Sequence, residues 1–119
     1  MNTIVVKFGG TSLASAAQIK KAAAIIRSDP ARRFVVASAP GKRTPDDIKV
    51  TDLLYRCYEA AAAHEAFEDV LSAIEARFDE IVEGLGVSFD VADEIAVIRA
   101  HLQSQPQRDY MASRGEYLN

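Results

Sequence analysis

The apolar positions fall into two kinds of pattern, and the change between them divides the chain. Ile4-Val5-Val6, flanked by Thr3 and Phe8, is a short β-branched run that ends in Gly9-Gly10. A run of this kind predicts a strand buried on both faces, as in a parallel sheet. Thr11 or Ser12 stands where the cap of a following helix belongs. Ile19, Ala22, Ala23 and Ile26 then recur at helical spacing, with Gln18, Lys20, Lys21 and Arg27 falling elsewhere. Asp29-Pro30 ends that helix. Arg33-Phe34-Val35-Val36-Ala37-Ser38 predicts a second strand, so the opening reads as a βαβ unit with a right-handed crossover.

Beyond residue 39 the period becomes helical. A polar loop with turn chemistry at both ends runs from Ala39-Pro40-Gly41 to Pro45-Asp46-Asp47. Thr51 or Asp52 is placed to cap a helix whose stripe includes Leu54, Cys57, Tyr58 and Ala61. Phe67, Val70, Leu71, Ile74, Phe78, Ile81 and Leu85 alternate steps of three and four, closed by Gly84 and Gly86. Asp90 opens another helix carrying Val91, Ile95, Ile98 and Leu102, and Pro106 breaks it. A last segment, 108–119, is expected to set Tyr110, Met111, Tyr117 and Leu118 on one side.

Two parallel strands cannot cover their own faces or satisfy their outer edges, and natural sheets hold about five or six strands. The chain also stops inside a helical pattern with no glycine cap and no proline beyond. The expectation is therefore that further strands come from additional sequence or from a partner chain.

Composition narrows the function classes. The chain has 119 residues, enough for one domain, with 14 Lys and Arg against 17 Asp and Glu. A net charge of −3 argues against a nucleic-acid partner, which calls for a basic face. No apolar stretch approaches the roughly 20 residues that cross a bilayer, and the N-terminus lacks a signal peptide's basic region. The single cysteine, Cys57, has no intrachain disulfide partner. These features together predict a cytoplasmic protein with no membrane partner.

The chemistry concentrates where the first strand meets the first helix, in Lys7-Phe8-Gly9-Gly10-Thr11-Ser12. Two glycines let backbone N–H groups approach an anion without an intervening Cβ. The helix N-terminus adds its positive dipole end, and Lys7 adds a full charge. The segment reads as a phosphate cradle without Walker A spacing, although a tight turn with a surface lysine fits the spacing equally well.

That hexapeptide resembles the opening motif of the aspartate kinases. Ser38-Ala39-Pro40-Gly41 is similar to the family's second glycine-containing loop, and Val50-Thr51-Asp52-Leu53-Leu54 to the start of its next helix. Ser113-Arg114-Gly115-Glu116 resembles its Ser-x-Gly-Glu helix motif. The resemblance implies a three-layer αβα sandwich of the amino-acid-kinase type, with 1–119 as the N-terminal portion of the catalytic domain. The family's later Gly-Arg-Gly-Gly-Ser-Asp segment and its regulatory ACT domains lie outside this sequence. The loop over 40–50 is longer than in the plainest members, and Asn119 stands where serine is commoner.

The resemblance further implies ATP-dependent phosphorylation of the side-chain carboxylate of L-aspartate, the first step toward lysine, threonine and methionine, with magnesium accompanying the nucleotide. Lys7 is implied as the catalytic contact to the transferred phosphoryl group, and Lys7, Phe8, Gly9 and Gly10 as the nucleotide-phosphate site. Thr51 and Glu116 are implied as substrate-binding, with Glu116 suited to the ammonium group, and Ser38 as a further candidate. No residue is assigned to a protein-held metal. The 119-residue chain alone is expected to be catalytically incomplete and to form homo-oligomers through its strand edges. The alternatives are another kinase of the superfamily, acting on glutamate, carbamate or a nucleotide, and a non-catalytic interaction module.

Other residues read as structural. His64 and His101 are expected as surface histidines on helices, Cys57 as a small core residue, and the acidic residues around 65–83 as one solvated helix face. Arg32-Arg33 and Lys42-Arg43 read as solvated turns.

Overall fold

The computed structural model describes residues 2–119. β1 (Ile4–Phe8) and β2 (Arg32–Ala37) pair in parallel, Val5 beside Phe34 and Phe8 beside Ala37, with an irregularity between Ile4 and Val5. A short 3-10 turn (Thr11–Leu13) and α1 (Ala16–Arg27) connect them, as the βαβ pattern predicts. Four helices follow: α2 (Val50–Ala62), α3 (Glu68–Leu85), α4 (Val91–Gln103) and α5 (Arg108–Leu118). No helix is long and apolar enough to cross a membrane among the described residues.

The core lies among the helices. Leu54 of α2, Leu71 and Ile74 of α3, Ile95 and Ile98 of α4 and Met111 of α5 are fully buried in one cluster. Each sits at the three-and-four spacing that forms an apolar stripe on a helix, and burying such a side chain is worth about 1.5–3 kcal/mol. Cys57 is part of this cluster, and burial raises its thiol pKa to about 11.

The strands do not match the expectation of burial on both faces. Val5 is 65% exposed and Phe34 61%, and their neighbours Val35 and Val36 are exposed as well. With two strands and α1 as the helix packed on β2, the face that carries Val5, Phe34 and Val36 is open among the described residues, and Val35 on the other face is only partly covered. The β-branched run encodes a buried strand, but burial needs a second layer that these residues do not contain.

Helix starts depart from the sequence reading in an informative way. α1 is capped by Ser15, whose hydroxyl accepts from Gln18 N–H at 3.4 Å, and not by Thr11 or Ser12, which both lie in the 3-10 turn. α2 begins after Lys49 with no side-chain cap, so Thr51 and Asp52 fall inside its first turn. Asp90 caps α4 as expected, accepting from Asp93 N–H at 3.1 Å. Gly86 ends α3 in the left-handed conformation, φ 67°, which glycine adopts without steric cost. On α5 the buried face is Met111 and Gly115, one turn apart; Tyr117 is 62% exposed, with the Arg114 guanidinium 4.4 Å from its ring centre. His64 lies in the turn after α2 at φ 58°, not on a helix. His101 is half-buried, and its Nε2 accepts from Gln107 N–H at 2.9 Å at the start of α5.

Candidate active site

Two loops cross where β1 and β2 end, and glycines make the crossing possible. Gly41 N–H donates to Gly10 O at 2.8 Å. A Cβ on Gly41 would lie 2.6 Å from Gly10 C and 2.8 Å from Thr11 N, and one on Gly10 would lie 3.0 Å from Ala39 O. Backbone cannot yield as a flexible side chain can, so Gly41 excludes any larger residue, and a Cβ on Gly10 would push the second loop back by a few tenths of an ångström. Gly10 has an ordinary right-handed helical conformation, φ −60°, so close approach rather than backbone freedom favours glycine there.

The crossing forms one rim of a cavity of about 240 Å³ lined by Gly10, Thr11, Ser38 to Gly41, Lys49, Thr51 and Glu116. Ser38 arrives at the carboxyl end of β2, where its carbonyl accepts from Asn119 Nδ2 at 2.8 Å. Val50 N–H donates to Pro40 O at 3.1 Å, fixing the start of α2 against the second loop. Lys49 and Thr51 thereby reach the cavity from the N-terminus of α2. The Thr51 and Asp52 N–H groups have no acceptor among the described residues, so the positive end of that helix is open to an anion.

Glu116 reaches the cavity because α5 presses unusually close. A Cβ on the preceding Gly115 would lie 2.7 Å from Ala39 Cβ, 3.3 Å from Val50 Cγ1 and 3.4 Å from Leu54 Cδ1. The glycine of the Ser-x-Gly-Glu sequence thus lets the helix seat against the second loop and α2, and its neighbour is carried to the cavity wall. Glu116 and Lys49 make no ion pair among the described residues. A residue of each charge sign thus lines one small cavity.

The four candidates Gly10, Ser38, Thr51 and Glu116, drawn from segments up to 106 positions apart (116 less 10), line this one cavity. Lys7, Phe8 and Gly9 do not line it. Lys7 is exposed and without an ion pair, and Gly9 is exposed with nothing within 4 Å of where a Cβ would stand. Neither the Gly9 nor the Gly10 N–H donates to the protein backbone among the described residues. Phe8 instead lines a shallow depression with Ser12, Gln18 and Ala22. Lys49 escaped the sequence reading because the search for caps favours Ser, Thr, Asp and Asn; its place two residues before Thr51 was the available signal.

Comparison with known proteins assigns this architecture. Residues 2–119 match the sequence model of the Amino acid kinase family. The chain belongs to that family. Aspartokinase 3 of Bacillus subtilis (strain 168) is 39% identical over 121 residues, covering 97% of this chain and 27% of that protein. Aspartokinase of Chlamydia pneumoniae is 36% identical over 103 residues, covering 87% of this chain and 21% of its own length. The crystal structure of Clostridium acetobutylicum aspartate kinase superposes with a TM-score of 0.96 at 44% identity, over all of this chain and 28% of that one. That of E. coli aspartokinase III, in complex with aspartate and ADP, superposes with a TM-score of 0.73 at 29% identity, over 98% of this chain and 27% of that one. The chain thus spans about a quarter of the length of these relatives, 27% of the first.

Proposed function

We propose that residues 1–119 are the N-terminal portion of the catalytic domain of an aspartate kinase, which transfers the γ-phosphoryl group of ATP to the side-chain carboxylate of L-aspartate. The observation that carries this reading is the pairing of unneutralised Glu116 and Lys49 across one cavity beside a glycine loop. A zwitterionic amino acid needs an anion for its ammonium group and a cation for its carboxylate. Glu116 meets the first need with a charge-assisted hydrogen bond. Lys49, the Thr51 hydroxyl and the open N-terminus of α2 meet the second. Ser38 on the rim adds a further hydroxyl.

The phosphoryl group is assigned to the neighbouring Lys7, with the free N–H groups of Gly9 and Gly10. The open space beside Gly9 fits a phosphate, since no side chain competes for it. An oxygen of the aspartate side chain attacks the γ-phosphorus, the bond to the bridging β-γ oxygen breaks, and ADP leaves with that electron pair. Lys7 stabilises charge on the transferring oxygens, and the loops hold both reactants in line. Among the described residues no cluster of three or more His, Cys, Asp or Glu side chains is placed to hold a metal. Magnesium accompanying the nucleotide would supply further charge neutralisation there.

A coupled ADP-release assay on the full-length gene product tests this, with L-aspartate compared against glutamate, carbamate and nucleotide acceptors. Glu116→Gln is expected to raise KM for aspartate roughly 10- to 100-fold, the worth of one hydrogen bond to a charged group. Lys7→Ala is expected to lower kcat by about 10²–10³, typical of losing one charge-stabilising group. The isolated 119-residue chain is expected to show no Lys7-dependent turnover. Turnover with another acceptor and none with aspartate would sink the substrate assignment in favour of a different kinase of the family.

A further inference from the structure

Arg77 lies in the buried stripe of α3, among Ile74, Phe78 and Ile81, and is 4% exposed. Its Nη1 donates to Ile48 O at 3.1 Å, and its Nη2 donates to Ala14 O at 3.1 Å and to Gly41 O at 2.8 Å. These carbonyls end three different segments: the turn before α1, the second glycine loop, and the approach to Lys49 and α2. Asp47 Oδ2 stands 3.5 Å from Nη1 and also accepts from Arg43 N–H at 2.9 Å and Arg43 Nε at 2.7 Å. A cation buried in a helix core is costly, and an apolar side chain of the same volume often serves stability as well or better. What the planar guanidinium adds is direction, because two of its nitrogens reach three fixed acceptors.

We propose that Arg77 is a positioning residue for the cavity: it ties Gly41, at the Gly10 crossing, and Ile48, just before Lys49 and Thr51, to a single rigid point on α3. Both rims of the site therefore hold one mutual geometry. As a statement about catalysis this rests on the aspartate kinase reading above; as a statement about the loops it does not.

The test uses the full-length gene product with Arg77→Lys and Arg77→Met, and Ile98→Ala in α4 as a control that thins the core away from the loops. Lysine keeps the charge but loses the fork, and methionine keeps the volume but loses every donor. Hydrogen exchange followed by mass spectrometry should show peptides over 39–51 exchanging faster in both Arg77 variants, with α3 and α4 peptides unchanged. Ile98→Ala should speed exchange broadly instead. In the kinase assay, kcat per folded molecule should fall by roughly 10²-fold, the cost of about 1 Å of misplacement. Ile98→Ala should leave it unchanged. Where methionine prevents folding, the lysine variant alone decides. Uniform loosening, or an unchanged 39–51 exchange, overturns the proposal. Absence of aspartate turnover in the wild type counts against the functional reading alone, and the exchange data still decide the clamp.

Discussion

Gly115→Ala isolates the packing of α5 from the chemistry of Glu116. On an exposed helix the change would stabilise by about 1 kcal/mol, since alanine is the better helix former. Here the new methyl would stand 2.7 Å from Ala39 Cβ. Carbon atoms pack best at about 3.5–4.0 Å, so the two surfaces must part by roughly 1 Å. Ala39 has little freedom to retreat, because the loop that carries it is tied by Gly41 N–H to Gly10 O at 2.8 Å and by Val50 N–H to Pro40 O at 3.1 Å. Overpacking of this kind costs about 1–3 kcal/mol, which leaves a net loss of about 0–2 kcal/mol. The larger effect is on geometry. α5 moves outward and carries Glu116 with it, and a displacement of about 1 Å costs on the order of 10²-fold in rate. The measurements are a urea unfolding curve and kcat/KM for aspartate on the full-length protein. The double variant Ala39→Gly/Gly115→Ala removes the colliding methyl and should recover most of the lost activity, as coupled neighbours do. Wild-type kcat/KM in the single variant would refute the argument, as would a double variant no better than the single.

Three further outcomes are expected. The Arg43 guanidinium and N–H beside Asp47 hold its carboxyl well below the usual carboxylate range. A depressed folded-state pKa contributes stability that is present above the unfolded value of about 4 and lost as the pH falls below it. Asp47→Asn should therefore lower stability at neutral pH and flatten its decline in acid; an unaltered acid limb in urea titrations would count against the ion pair. Cys57, buried and with its thiol raised to about 11, should resist a thiol reagent at pH 8 in the native protein and react at once in urea; rapid native labelling would show that the α2–α3 contact opens. The uncovered sheet face of Val5, Phe34 and Val36 should make the isolated 119-residue chain self-associate at micromolar concentration, and light scattering that returns a monomer would contradict this.

The sequence by itself determined the elements that carry their own instructions. The βαβ opening, the stripes of α3 and α4, the Asp90 cap and the Gly86 stop were legible because each depends on neighbours within about one or two turns. Its resemblance to the aspartate kinases also marked Gly10, Ser38, Thr51 and Glu116 as candidates, through short motifs that can be matched in one dimension. It missed what depends on contacts between distant segments. Lys49 is an unremarked lysine until Val50 N–H bonds Pro40 O and turns the start of α2 to the cavity. Arg77 reads as one more charge in a helix rich in charge, and only the fold places Ala14, Gly41 and Ile48 around it. The glycines changed meaning most. Gly10 and Gly41 suggest turns or anion contacts in the sequence and Gly115 one position of a helix motif, whereas each sits where another segment's atoms crowd the place a Cβ would take. Hydrophobic period encodes which side of an element seeks cover. Whether cover is there, and how closely it comes, is settled by the packing of other elements, as the open face of β1 and β2 records.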